Sequence, residues 1–211
     1  MLLTMKFPIK KYSNIKSFKN DYYENLKKSF ESIRSEDLKK IISTLDNAYK
    51  NGKNKVMVCG NGGSAALANH FACDHQKILN KIGNLKPFVL SLSSNSSLMT
   101  AISNDNNYKF VFSDQIKQIG KKSDILLTIS SSGKSANIIN ALNIAKKMSI
   151  KTISFTGFDG GKSKKIADLN MHIKSSNYGI IESLHHTIMN LISQFLKNKY
   201  LSSKKIKSIK F

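Results

Sequence analysis

Three features of this 211-residue chain predict an α/β fold: a parallel β-sheet flanked by helices on both faces, with an N-terminal helical extension. Short apolar runs recur from Val56 onward, and most lead through a Gly- or Ser-rich turn into a helical pattern. That alternation is the grammar of strand–helix crossovers. No tight hairpin signal joins consecutive runs, so the strands are expected to run parallel with both sheet faces covered. Two helical patterns precede the first strand and form the extension.

Taken in order, helical periodicity covers 15–31 and 35–51. Ser35-Glu36-Asp37 suits the start of the second helix, and Gly52 its stop. The strands are VMVC (56–59), FVLSL (88–92), ILLTIS (125–130), TISFT (152–156) and LNMHI (169–173). Helical patterns follow at 64–80, 97–104, 112–119, 135–148, 162–167 and 178–200. The stretch from Lys197 to Lys210 is basic and is expected to fray from the fold. One structural domain results: an extension over 1–52, a main α/β domain over 53–200 and a basic tail over 201–211.

Composition narrows the function classes. No run of 18 apolar residues occurs, so no membrane span is expected. The start MLLTMKFPIKKY lacks an apolar stretch followed by a cleavage site, which favours a cytoplasmic protein. Cys59 and Cys73 form no CxxC pair, in keeping with reduced thiols. A net charge of +21 raises the question of nucleic acid. Arg34 is the sole arginine, however, and the lysines are spread along the whole chain among Asn, Ile and Ser. That pattern reads as compositional bias, and nucleic acid is not expected as a partner.

Two strand-to-helix turns carry chemistry. Gly60-Asn61-Gly62-Gly63-Ser64 follows VMVC and precedes a helix; Ser130-Ser131-Ser132-Gly133-Lys134-Ser135 follows ILLTI and precedes another. Glycines let a backbone approach an anion, and a helix N-terminus offers free N–H groups and positive potential. Four serine hydroxyls beside such a terminus make a neutral cradle for phosphate. In an open parallel sheet both turns lie at the carboxyl ends of strands, where ligands bind. Neither turn has P-loop spacing, and the first lacks the third glycine of a dinucleotide fingerprint.

The segments CGNGGSAA, NHFACD, AISND, ISSSGKSAN and TGFDGG, in this order over about residues 15–196, resemble the sedoheptulose 7-phosphate (phosphoheptose) isomerases, which carry the sugar isomerase (SIS) domain. The resemblance implies a SIS-type sheet and a homotetramer with sites at subunit interfaces. It implies isomerisation of a ketose phosphate to an aldose phosphate, assisted by one zinc per subunit, supplying heptose for surface polysaccharide. Asn61, Gly62, Gly63, Ser64, Asn104 and Asp105 would contact the phosphorylated sugar, and Ser130, Ser131, Ser132 and Ser135 would hold its phosphate. His70 matches the first metal ligand. Asp74 stands where the family carries a glutamate that is both ligand and base. Glu182 stands where many members carry glutamine, and Asn190 where a ligating, proton-carrying histidine is expected. Asp74 and Glu182 are thus both substrate-facing and catalytic candidates, and the metal set is His70, Asp74, Glu182 and Asn190.

The residues themselves test that set. His70 and Asp74 are i, i+4 on one helix and can converge on one ion. Positions 182 and 190 lie about 12 Å apart along a helix and cannot share an ion at bonds of about 2 Å. Either the helix is interrupted or the two serve different copies of a site shared between subunits; the shared site is the expectation. An amide at 190 does not titrate near neutral pH and competes poorly for zinc. His186, one turn earlier, is a candidate for the missing imidazole and for the catalytic acid. The alternative function is a non-catalytic SIS protein that binds a phosphosugar or scaffolds a partner, as relatives that bind the bacterial replication initiator do.

Overall fold

The structure is a computed structural model that describes residues 5–79, 82 and 85–208. Five strands form one sheet in the order β2-β1-β3-β4-β5, with every pairing parallel. They are β1 (Val56–Gly60), β2 (Val89–Ser91), β3 (Ile125–Ser130), β4 (Lys151–Thr156) and β5 (Leu169–His172). The helices are α1 (Ile15–Glu31), α2 (Ser35–Asn51), α3 (Gly63–Asp74), α4 (Ser96–Asp105), α5 (Ser113–Ile119), α6 (Ala136–Lys147), α7 (Gly161–Ile166), α8 (Tyr178–Tyr200) and α9 (Ser203–Ser208).

Alternation along the strands divides the core. Val56 and Val58 face one layer with Ile41, Leu45, Phe71, Ile181 and Ile188 of α2, α3 and α8. Met57 and Cys59, between them in sequence, face the other layer with Ile116, Ile138 and Leu142 of α5 and α6. This two-residue period makes the strands legible as apolar runs without polar alternation. The N-terminal segment closes over α8: the rings of Phe7, Phe18 and Tyr22 cluster, and Asn177 caps α8 while donating through Nδ2 to the Phe7 carbonyl at 3.0 Å.

Three expectations change. The long helix over 64–80 is an α-helix to Asp74, then a π-helical turn from His75 to Leu79; position 80 lies outside the described residues. A 3₁₀ turn, Tyr108–Phe110, precedes α5. The basic stretch does not fray from Lys197. Helix α8 runs to Tyr200, where the Lys199 ammonium donates to Asp46 at 2.8 Å and the Tyr200 hydroxyl donates to the same carboxylate. A buried carboxylate on α2 gives those residues a partner that their composition does not reveal. Among the described residues no helix is long and apolar enough to cross a membrane.

The sheet order reverses between β1 and β3, the neighbours from which the chain winds outward in opposite directions. At such a switch point the two following loops diverge and leave a crevice. Those loops are the two glycine- and serine-rich turns.

Candidate active site

The first loop turns at Gly62, whose φ of 55° suits glycine, and α3 then starts without a side-chain cap. The second turns at Gly133, φ 63°, where a Cβ would collide with the Gly160 carbonyl oxygen. The loop after β4 thus buttresses the serine loop from beneath. Gly157 N–H donates to the Ser131 carbonyl at 2.8 Å, and the Ser163 N–H and hydroxyl both donate to the Gly133 carbonyl at 3.0 Å. Asn61 and Asn137 exchange amide hydrogen bonds at 3.0 and 2.8 Å, while the Tyr108 hydroxyl donates to Asn61 Oδ1 at 3.0 Å. The first loop is therefore tied to the first turn of α6, 76 residues later in sequence.

Between them lies a pocket of about 180 Å³ lined by Asn61, Ser64, Ile129, Ser130, Ser131, Ser132, Ser135, Tyr178 and Glu182. Ser135 is the N-cap of α6, yet its side chain makes no cap bond, so the hydroxyl is available to a ligand. The Ser131 hydroxyl is buried with no partner among the described residues. Among the described residues, Glu182 is the one acidic residue lining this pocket. Its Oε2 would lie 3.3 Å from a Cβ placed on Gly63, so a larger residue there would press on the carboxylate.

A second cluster lies along the facing helices α3 and α8. His70 Nε2 lies 3.2 Å from Asp74 Oδ2, and the His186 ring stands edge-on to His70 with centroids 4.8 Å apart. His186 Nε2 is buried and has no partner among the described residues. His185 turns the opposite way, its Nε2 3.3 Å from the Thr156 carbonyl, and burial pushes its pKa down to about 4. His75 is a core residue, stacked on Phe71 at 3.8 Å and hydrogen-bonded with the Tyr49 hydroxyl at 2.6 Å; burial pushes its pKa down to about 3. His172 is held down to about 4 by burial and by Lys164 and Lys174.

With the fold and the two clusters in place, relatives identify the group. A SIS-domain profile matches residues 21–157. The phosphoheptose isomerase of Aliarcobacter butzleri is 37% identical over 178 residues, covering 84% of this chain and 93% of its own length. The chain belongs to the phosphoheptose isomerase group of SIS-domain proteins. Solved structures agree: the phosphoheptose isomerase of Neisseria gonorrhoeae superposes with a TM-score of 0.78 at 29% identity, covering 87% of this chain and 98% of that one. The enzyme of Francisella tularensis gives 0.77 at 27%, covering 87% and 96%. The SIS-type α/β fold expected from the sequence is thus the fold observed.

Within this SIS domain, Asn61, Ser64, Ser130, Ser131, Ser132, Ser135 and Glu182 share one pocket; Gly63 packs beside Glu182, and Gly62 precedes it in the turn. Asn104 and Asp105 are exposed at the end of α4, bonded to each other at 3.0 Å, and do not line it. His70 and Asp74 follow Gly63 by seven and eleven residues on α3, about 10 and 16 Å along its axis. Helix α8 is continuous, which removes the interrupted-helix reading of Glu182 and Asn190. Asn190 lines an open groove with Thr187, Leu191, Gln194, Phe195 and Asn198. Among the described residues of one chain, no three His, Cys, Asp or Glu side chains close around a common point. The donor chemistry of His70 and Asp74 suits a divalent ion. Sequence reasoning overlooked Asn137, Tyr108 and Tyr178; only Asn137 left a signal, inside the motif ISSSGKSAN.

Proposed function

We propose that this protein is an aldose–ketose isomerase that interconverts sedoheptulose 7-phosphate and a manno-heptose 7-phosphate, supplying heptose for surface polysaccharide in the cytoplasm. The observation that carries the reading is the serine pocket, whose Ser131 hydroxyl is buried without a partner among the described residues. Burying a hydroxyl unpaired costs about 1–3 kcal/mol, and a phosphate oxygen would discharge that cost. The N-terminal N–H groups of α6 and the hydroxyls of Ser130, Ser132 and Ser135 complete the cradle.

Substrate length fits the layout. From phosphorus to C2, an extended seven-carbon chain spans about 9 Å, with bonds of about 1.5 Å. The axial step on α3 from Gly63, beside Glu182, to His70 is about 10 Å. On this reading a sugar anchored by phosphate among the serines would turn its carbonyl end to His70 and Asp74. Asp74 Oδ2 takes the proton from C1 and returns it to C2, through an enediolate. His186, or a water held by Glu182 and Asn190, moves the hydroxyl proton between O1 and O2.

The metal assignment is zinc, one per subunit, with His70 and Asp74 as ligands; family resemblance adds Glu182 and Asn190. Eight residues apart on one straight helix, these last two would serve different copies, which calls for a homotetramer with sites at subunit interfaces. When bound, the ion would polarise the substrate carbonyl. Retention of the serine cradle and of the carboxylate–imidazole cluster favours the isomerase over a non-catalytic phosphosugar binder. Asp74→Asn should abolish turnover while sugar-phosphate binding, measured by calorimetry, persists. Retained turnover would refute the assignment of the base.

A further inference from the structure

Phe158 holds a backbone angle that its residue type avoids. Its φ is 48°, in the left-handed region, where glycine or asparagine sits at less cost than a bulky side chain. Among the described residues two other non-glycine positions share this sign of φ, Ser123 and Ser149, both small and polar and both just ahead of a strand. Backbone strain of this kind gathers where a site needs a side chain in one place. Phe158 follows Gly157 in the loop that buttresses the serine loop, and its N–H donates to the Ser175 carbonyl at 3.0 Å. Its ring meets Tyr178 edge-on, with centroids 4.6 Å apart and an interplanar angle of 61°.

Tyr178 is the first residue of α8 and lines the serine pocket. Glu182, four residues on and so on the same side of the helix, lines it too. Tyr178 is 58% exposed, and its hydroxyl makes no hydrogen bond among the described residues. Edge-to-face attraction accounts for the ring contact, and the Phe158 ring also packs against the core. Neither calls for a hydroxyl at position 178, since phenylalanine there would pack as well. A phenol is a hydrogen-bond donor, which an anion accepts. We propose that Tyr178 is a substrate-binding residue whose hydroxyl donates to a phosphate oxygen of the sugar phosphate, and that Phe158 is the positioning residue that fixes its ring. The inference rests on the sugar-phosphate reading of the serine pocket and deepens it: the loop after β3 and the start of α8 hold the anion between them.

The test uses the full chain, with initial rates and calorimetric titration against sedoheptulose 7-phosphate, and inorganic phosphate as a competitor. Tyr178→Phe keeps the ring contact and removes the donor alone. It should raise KM and the inhibition constant of phosphate together by about 10-fold, the effect of one hydrogen bond to a charged oxygen, with kcat within about twofold of wild type. Phe158→Ala should raise KM by a similar factor. The double variant Phe158→Ala/Tyr178→Phe should raise it little further, because both changes remove one contact. Effects that multiply in the double variant would make Phe158 a packing residue and overturn its positioning role. An unchanged KM and affinity in Tyr178→Phe overturn the inference and leave the isomerase reading standing. A phosphate inhibition constant that does not rise with KM overturns the assignment of the contact to phosphate. If the wild-type chain binds the sugar phosphate without converting it, the isomerase reading falls, and the calorimetric affinity of Tyr178→Phe still decides this inference.

Discussion

In Ser131→Ala, stability and binding are expected to move in opposite directions. The Ser131 hydroxyl is buried and has no partner among the described residues, and the residue is only 6% exposed. Its backbone carbonyl, which accepts from Gly157 N–H at 2.8 Å, is untouched by the change. Removing an unsatisfied buried hydroxyl relieves desolvation, so the unfolding free energy should stay level or rise by up to about 1 kcal/mol. A hydrogen bond to a charged partner is worth about 1.5–3 kcal/mol, so losing one to phosphate should lower kcat/KM by about 10- to 150-fold. Most of that loss should fall on KM, since the phosphate is remote from the reacting carbons. The assays are urea denaturation of the ligand-free protein and initial rates against sedoheptulose 7-phosphate. A destabilised variant with unchanged KM would refute the reasoning and make Ser131 a packing residue.

Two further perturbations probe the supports of the pocket. Gly133→Ala combines a left-handed φ, costing about 1–2 kcal/mol for a non-glycine residue, with a collision against the Gly160 carbonyl. Gly62→Ala has a similar φ and no atom within 4 Å. Gly62 has ψ −124°, a region that residues with a Cβ scarcely enter, so urea melts should show a loss of about 1–3 kcal/mol for the second and about 3 kcal/mol or more for the first; a smaller loss at Gly133 than at Gly62 would mean that the serine loop does not rest on the loop beneath it. Asp168 supports the far edge of the sheet. Burial raises its pKa, but hydrogen bonds from Lys146 and from the Thr152 amide and hydroxyl outweigh this and hold it at about 2. A folded pKa below the unfolded one means that the contribution is complete above about pH 4 and fades as pH falls towards 2. Asp168→Asn should cost about 2–3 kcal/mol at pH 6 and about 1 kcal/mol or less at pH 2.5, by denaturant melts at both.

The sequence made the sheet, both loops and the bounds of α1, α2 and α8 readable, because local signals set each of them. Gly52 stops α2, Asn177 caps α8, and the apolar runs mark the strands. What stayed hidden depends on distant partners. His75 has no local pattern, because Tyr49 arrives from another helix 26 residues earlier. The π-helical turn after Asp74 keeps a helical appearance in sequence, so its extra residue per turn is invisible to periodicity. Lys199 and Tyr200 read as tail until Asp46, more than 150 positions earlier, is placed beside them. In the site, motif order singled out the serine loop, whose Ser130, Ser131, Ser132 and Ser135 line one pocket. The pairing of His70 with His186 needed the relative placement of α3 and α8, which no spacing within either helix contains.

The most direct measurement is turnover of sedoheptulose 7-phosphate by the purified full chain, followed as formation of the aldose phosphate, after chelation and again after zinc is restored. The account predicts conversion that falls on chelation and returns with zinc, at a KM that rises in Ser131→Ala. Saturable binding of the sugar phosphate with no conversion under either condition would contradict it.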